Sequence, residues 1–238
     1  MSVLEALAAT ATMAVGSLVQ GVAGFGLALV TAPPLTLLDP VLVPGPIMAS
    51  ALLLTALMAW RERSEIHFAG IGWVYLGRLP GTALGALAVA ALPARGLGLL
   101  VGAAVLLAVA MVASGWKITP SPSTLAAAGL VSGLMGTASA IGGPPLAMVY
   151  LDSGPGRLRG TLAGNFLLGT ATSLAALALV GRFGARELAA TGLLLPGVAA
   201  GYLLSNRALR ALDRERLRRA VLVLSTAGGL AVIARSLA

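Results

Sequence analysis

The sequence predicts an all-α polytopic membrane protein made of two inverted repeats. Each repeat is a glycine- and proline-broken re-entrant hairpin of half-helices followed by three transmembrane helices. Three observations predict this. First, the 238 residues are 58% hydrophobic and 10% charged, with a mean hydropathy of +0.96, against roughly 25% charged in a soluble domain. Second, apolar runs of about 20 residues, long enough to cross a bilayer as helices, recur from end to end. Third, two breaks recur in matching order. GVAG (21–24) and GLMG (133–136) each precede a Pro-Pro-Leu, at 33–35 and 144–146, and then an aspartate, Asp39 or Asp152. Short alternating segments, the mark of a β-barrel, are absent from the sequence.

The elements follow in order. Residues 3–38 form a glycine-rich apolar run closed by Asp39-Pro40. Spans follow at 41–60, 68–91 and 96–115, separated by RERSEIH (61–67) and by Leu92-Pro93-Ala94-Arg95. WKITPSPS (116–123) marks the restart, so the repeats are 1–118 and 119–238. The second repeat opens with the apolar run 124–151 and DSGPGRLR (152–159), then has spans at 161–181, 187–204 and 218–237. The basic stretch NRALRALDRERLRR (206–219) reads as a loop. PGTALG (80–85) and PGVAAG (196–201) form a second matched pair, 116 residues apart, against 112 for the first pair. MSVLEALAAT has no basic n-region and no small-residue cleavage site, so it reads as part of the mature chain.

The run 124–151 has 28 residues. That exceeds one crossing of a ~30 Å core and falls short of two. Positive charge arbitrates between a broken single crossing and a re-entrant hairpin. Leaving out Arg78, single crossings split the fifteen basic residues six to nine. Hairpins split them eleven to four, and they make the repeats inverted. Such repeats bind substrate near the midplane at discontinuous helices.

The breaks carry the chemistry. Pro144 and Pro145 suit the first turn of a short helix running to about Leu151. Its open amides, on Leu146, Ala147 and neighbours, would point back toward Gly142 and Gly143. A helix N-terminus inside a membrane offers partial positive charge and free donors. Pro33-Pro34 is expected to repeat the device. Arg78 lies mid-span, where a charge is expensive and functional by default; the alternative is a side chain snorkelling to the interface. All eight acidic residues sit in or beside loops or segment ends, so no buried carboxylate is on offer for a proton relay. The site reads as neutral to positive, which suits an anion. Asn165 and Ser139 are polar candidates to donate to it, and Gln20, Ser132 and Thr137 are lesser ones. The Gly77, Gly81, Gly85 series and the Gly197, Gly201 pair have small-xxx-small spacing and read as helix packing.

Other chemistries lack residues. Cysteine is absent and the one histidine, His67, is in a loop, so neither a metal site nor a Ser/His dyad can be assembled. No cofactor is expected, and the protein reads as a non-enzyme. The basic residues lie between apolar runs without interleaved aromatics, which fits a lipid surface and not nucleic acid. An anion channel and a non-transporting membrane subunit remain as rivals to a transporter. The coupling ion, a proton or sodium, stays open, as does the oligomeric state, a homodimer included.

GVAGFGLALVTAPPL (21–35) and GLMGTASAIGGPPLAMVYL (133–151) resemble the paired motifs of the TauE/SafE sulfite exporter family, the toluene-sulfonate uptake permeases. The resemblance covers nearly the whole chain. It implies a multi-pass cell-membrane permease for sulfite, thiosulfate or organosulfonates. The expected substrate-binding set is Gly24, Phe25, Gly26, Pro33, Pro34, Arg78, Gly136, Ser139, Gly142, Gly143, Pro144 and Asn165. One departure is that LALVTA precedes the first prolines where ASAIGG precedes the second, so the half-sites need not be equivalent.

Overall fold

The computed structural model describes residues 2–211 and 213–238. Among them all regular structure is helical, and seven helices are long and apolar enough to cross a membrane. This is a multi-pass membrane protein. The first five helices are α1 (Val3–Ala23), α2 (Leu27–Leu38), α3 (Gly45–Arg61), α4 (Ile71–Ala91) and α5 (Ala94–Ser114). The next five are α6 (Pro122–Ser139), α7 (Gly143–Tyr150), α8 (Pro155–Leu179), α9 (Ala185–Ala211) and α10 (Arg214–Leu237).

The breaks differ from expectation in three ways. The first arms are long, 21 residues in α1 and 18 in α6, while only the second arms are short, 12 residues in α2 and 8 in α7. Nothing in 3–23 or 122–139 interrupts a helix, so each first arm runs until its chain turns. In the second break, Pro144 and Pro145 do stand in the first turn of α7, which starts at Gly143. In the first break, Pro33 and Pro34 lie inside α2 and start nothing. Gly24 (φ 92°) and Gly26 (φ 110°) make the turn, because two left-handed residues in three demand glycine. Proline inside a helix removes an i→i−4 bond. The carbonyl that Pro33 cannot reach, that of Leu29, accepts from Ser225 Oγ of α10 at 3.0 Å. At the second break the left-handed residue is Ala140 (φ 65°), where an L side chain is strained.

The stretch 206–219 is also corrected. It is mostly helix, divided between the end of α9 and the start of α10. Its Leu, Ala and Arg are good helix formers, and Asp213 caps α10 by accepting the Glu215 N–H at 2.9 Å.

Glycine sets the packing. A Cβ on Gly77, Gly81 or Gly85 of α4 would strike the carbonyls of Ala126, Leu130 or Leu134 in turn, so α4 and α6 run parallel with their backbones touching. Gly197 and Gly201 of α9 lie on the carbonyls of Thr10 and Ala14, so α1 and α9 also run parallel. By contrast, Gly98 meets Ser236 while Gly229 meets Val105, so α5 and α10 are antiparallel.

Two ends result. At one, Arg61 donates to Asn206 Oδ1 (2.7 Å), Arg159 pairs with Glu62 (2.8 Å), Lys117 with Asp152 (2.6 Å), and Arg218 reaches the Val112 carbonyl (2.8 Å). At the other, Arg95 bonds the Leu237 carbonyl (2.8 Å), Arg182 the Ala90 carbonyl (3.0 Å), and Arg235 the Leu37 carbonyl. The first is called the arginine-rich end below.

Close packing makes a test. Gly81→Val should wedge α4 from α6 and lower stability by about 3 kcal/mol, the upper part of the overpacking range. Gly72→Ala, where a Cβ meets open space, should leave stability unchanged or up to about 1 kcal/mol higher. Thermal unfolding in detergent measures both.

Candidate functional site

The two breaks meet. A Cβ on Gly143 would fall 2.7 Å from the Cβ of Phe25, so the glycine admits the phenyl ring of the opposite break. Between them lies a cavity of about 50 Å³. That is room for about three waters or one small ion. Its walls are the start of α2 (Gly26 to Leu29), the second break (Ala140 to Pro144), Gln20, Thr55, Thr170 and Arg78.

Arg78 is 2% exposed, which rules out the snorkelling alternative. Its Nη1 donates to Ser132 Oγ at 2.9 Å. Ser132 in turn donates to the Gly142 carbonyl at 2.6 Å, which ties the guanidinium to the second break. Gly169 of α8 clears the space that the guanidinium occupies, since a Cβ there would overlap it. Arg78 Nε is buried without a partner, and among the described residues no carboxylate lines the cavity. The positive charge is therefore unopposed by protein.

Helix geometry adds donors. The first-turn amides of α2 have no intrahelical partner. That of Leu27 donates to Gln20 Oε1 at 3.3 Å, while Ala28 and Leu29, both in the cavity wall, keep theirs. At α7 the prolines leave Gly143 as the amide in the first turn, and Ala147 already lies within the hydrogen-bonded ladder. Ala147 is thus not an open donor at the second break, while Ala28 and Leu29 add donors at the first.

Seven of the predicted residues line the cavity: Phe25, Gly26, Arg78, Gly136, Gly142, Gly143 and Pro144. Five do not. Gly24 caps α1 and packs on Arg159. Pro33 and Pro34 are within α2. Ser139 donates to the Met135 carbonyl of its own helix (2.7 Å), and Asn165 Nδ2 to the Thr161 carbonyl of its own (2.9 Å). Thr55 and Thr170 were not singled out by sequence reasoning, because a lone threonine in an apolar span is ordinary. Gln20 offered more signal: it is the one glutamine of the chain, one turn before the break.

A family model for the sulfite exporter TauE/SafE matches residues 8–232. The chain belongs to the TauE/SafE family. This TauE/SafE protein is accordingly a membrane exporter or permease of the sulfur-anion class. No curated protein and no solved structure matches it significantly.

The Arg78 setting is testable apart from Arg78 itself. In this TauE/SafE chain, Gly169→Ala should push the guanidinium out of place and weaken anion binding by tenfold or so, about 1.4 kcal/mol. Ser132→Ala should act in the same direction and Ser132→Thr should restore binding. Equilibrium binding of labelled thiosulfate to purified protein reads all three.

Proposed function

We propose that this protein carries small sulfur-containing anions (sulfite, thiosulfate or organosulfonates) across the cell membrane, holding the anion near the midplane between the two breaks. The observation that carries this is Arg78, buried, half-partnered and facing two helix breaks with no carboxylate beside it. A charge at that depth costs about 3 kcal/mol even on lenient insertion scales. A bound anion would offset it. The amides of Ala28, Leu29 and Gly143, with the start of α2, would supply further donors. Thr55 and Thr170 border the same space.

The architecture proposed is the inverted pair of repeats, 1–118 and 119–238, each opening with a re-entrant hairpin. Packing directions support it. The antiparallel α5 and α10 start at opposite ends. Count back from α10 through α9 and α8, one crossing each. The end of α7 then falls at the end where α6 begins. The same count through α5, α4 and α3, with α1 parallel to α9, returns α1–α2 to its own side. Contacts support the exchange as well: α6 packs on α4 as α1 packs on α9.

Alternating access follows from rocking one repeat against the other. A chamber of about 480 Å³ at the arginine-rich end shares Phe25, Gly26, Leu29 and Pro144 with the central cavity. Toward the other end, Met48, Val89, Ala138 and Leu177 close the path with apolar side chains. The positive-inside rule puts the arginine-rich end in the cytoplasm, so this conformation would open inward.

Proteoliposomes test the reading with labelled sulfite, thiosulfate and a sulfonate, with and without a proton gradient. At least one should show saturable uptake with counterflow, and Arg78→Gln should raise its apparent KM tenfold or so. Intact protein that moves none of them would overturn the substrate class.

A further inference from the structure

The end opposite the arginine-rich one holds a second chamber, of about 650 Å³. Arg95, Arg182, Arg186 and Arg235 line it, with Glu187 as its one acidic side chain among the described residues. It shares no wall with the central cavity, and the Met48–Val89–Ala138–Leu177 cluster lies between the two.

Arg95, Arg182 and Arg235 cap the last turns of α10, α4 and α2, a favourable place for arginine, but two of the four also stand at helix starts. Arg95 and Arg186 each occupy the second position of a helix, α5 and α9. A helix N-terminus carries partial positive charge and favours acidic residues. The start of α3, at Gly45, opens on the same chamber. The starts of α3, α5 and α9, the ends of α2, α4 and α10, and four guanidinium groups therefore converge on one space, in which the guanidinium groups are the net charge. Topology does not call for arginine here, because this end is the arginine-poor one. Three of the four are fixed by a single backbone carbonyl each, those of Leu237, Ala90 and Leu37. An arginine has five N–H donors, so most of theirs remain open. Glu187 accepts the Gly184 amide at 2.8 Å and is partly committed to that cap.

We infer that this chamber is a second anion site, an outer vestibule that collects small oxyanions and delivers them to, or receives them from, the central cavity when the apolar cluster parts. The inference rests on the transport reading for the delivery step, but the binding step stands apart from it. A concave basic surface with low-dielectric walls raises the local concentration of anions by roughly tenfold to a thousandfold, and salt suppresses the effect. The oxyanion could also be a lipid phosphate, and the test separates the two sources.

Labelled thiosulfate is bound at equilibrium to the full chain in phosphatidylcholine nanodiscs, at low and high concentrations of an inert salt. Wild-type protein should show a salt-insensitive component and a salt-sensitive one. Arg182→Gln with Arg186→Gln should weaken the salt-sensitive component tenfold or more and leave the other unchanged. Arg182→Lys with Arg186→Lys should retain both. Arg78→Gln should do the reverse of the glutamine pair. A single component, or a salt-sensitive component indifferent to the glutamine pair, would overturn the inference. So would native mass spectra in which these arginines retain phosphatidylglycerol that thiosulfate does not displace, since that assigns them to a lipid headgroup. Wild-type protein that binds in both components yet transports no sulfur anion would sink the transport reading and leave the vestibule standing.

Discussion

The structure turns on one unbalanced charge. Arg78 sits inside an apolar helix, and the protein gives it a hydroxyl but no carboxylate. Removing a charge from water is costly unless it is paired. Everything around Arg78 makes that cost bearable without cancelling it. Ser132 takes one N–H, Gly169 leaves room, and the Gly142 carbonyl completes the chain through Ser132. A carboxylate would have stabilised the resting protein and competed with any anion. Its absence keeps the site unsatisfied, as a reversible binding site for a negative ligand requires.

Glycine makes that arrangement buildable. Lipid gives no hydrophobic drive for helices to associate, so close backbone contact must hold them. α4 and α6 touch along Gly77, Gly81, Gly129 and Gly133, and this contact fixes Arg78 beside the second break. α1 and α9 touch along Gly197 and Gly201, and this fixes the first break beside it. The breaks can be irregular because they are buried in protein, not in lipid. Phe25 entering the gap at Gly143 is the point at which the two breaks register.

Much of this was legible in the sequence. Length, hydropathy and the repeated motifs gave a helical multi-pass protein and the family resemblance, and both hold. Arg78 and Gly142-Gly143-Pro144 were readable because charge and helix breakers are rare in membrane segments. Pro33-Pro34 misled. A proline pair starts a helix when glycines precede it, as at 142–143, but LALVTA before 33 is helical, and Ser225, nearly two hundred residues away, supplies the bond that Pro33 forfeits. Such a long-range partner leaves no local trace. Nor does the choice between Ser139 or Asn165 facing a cavity and bonding its own helix, since both conformations suit the same spacing. The stretch 206–219 reads as a loop because it is charged. Charge marks exposure to water, and an amphipathic helix end satisfies that as well as a loop does.

Arg78 has no twin. In the two-repeat reading its counterpart is Leu194, fully buried in α9. Two guanidinium groups 4 Å apart repel by about 4 kcal/mol in a medium of intermediate dielectric. In that reading the two-fold relation between the halves is broken at the place where the two breaks meet. On the same reading, the inward-open and outward-open conformations are not equivalent in energy, because the fixed charge stays with α4 on one side of the axis.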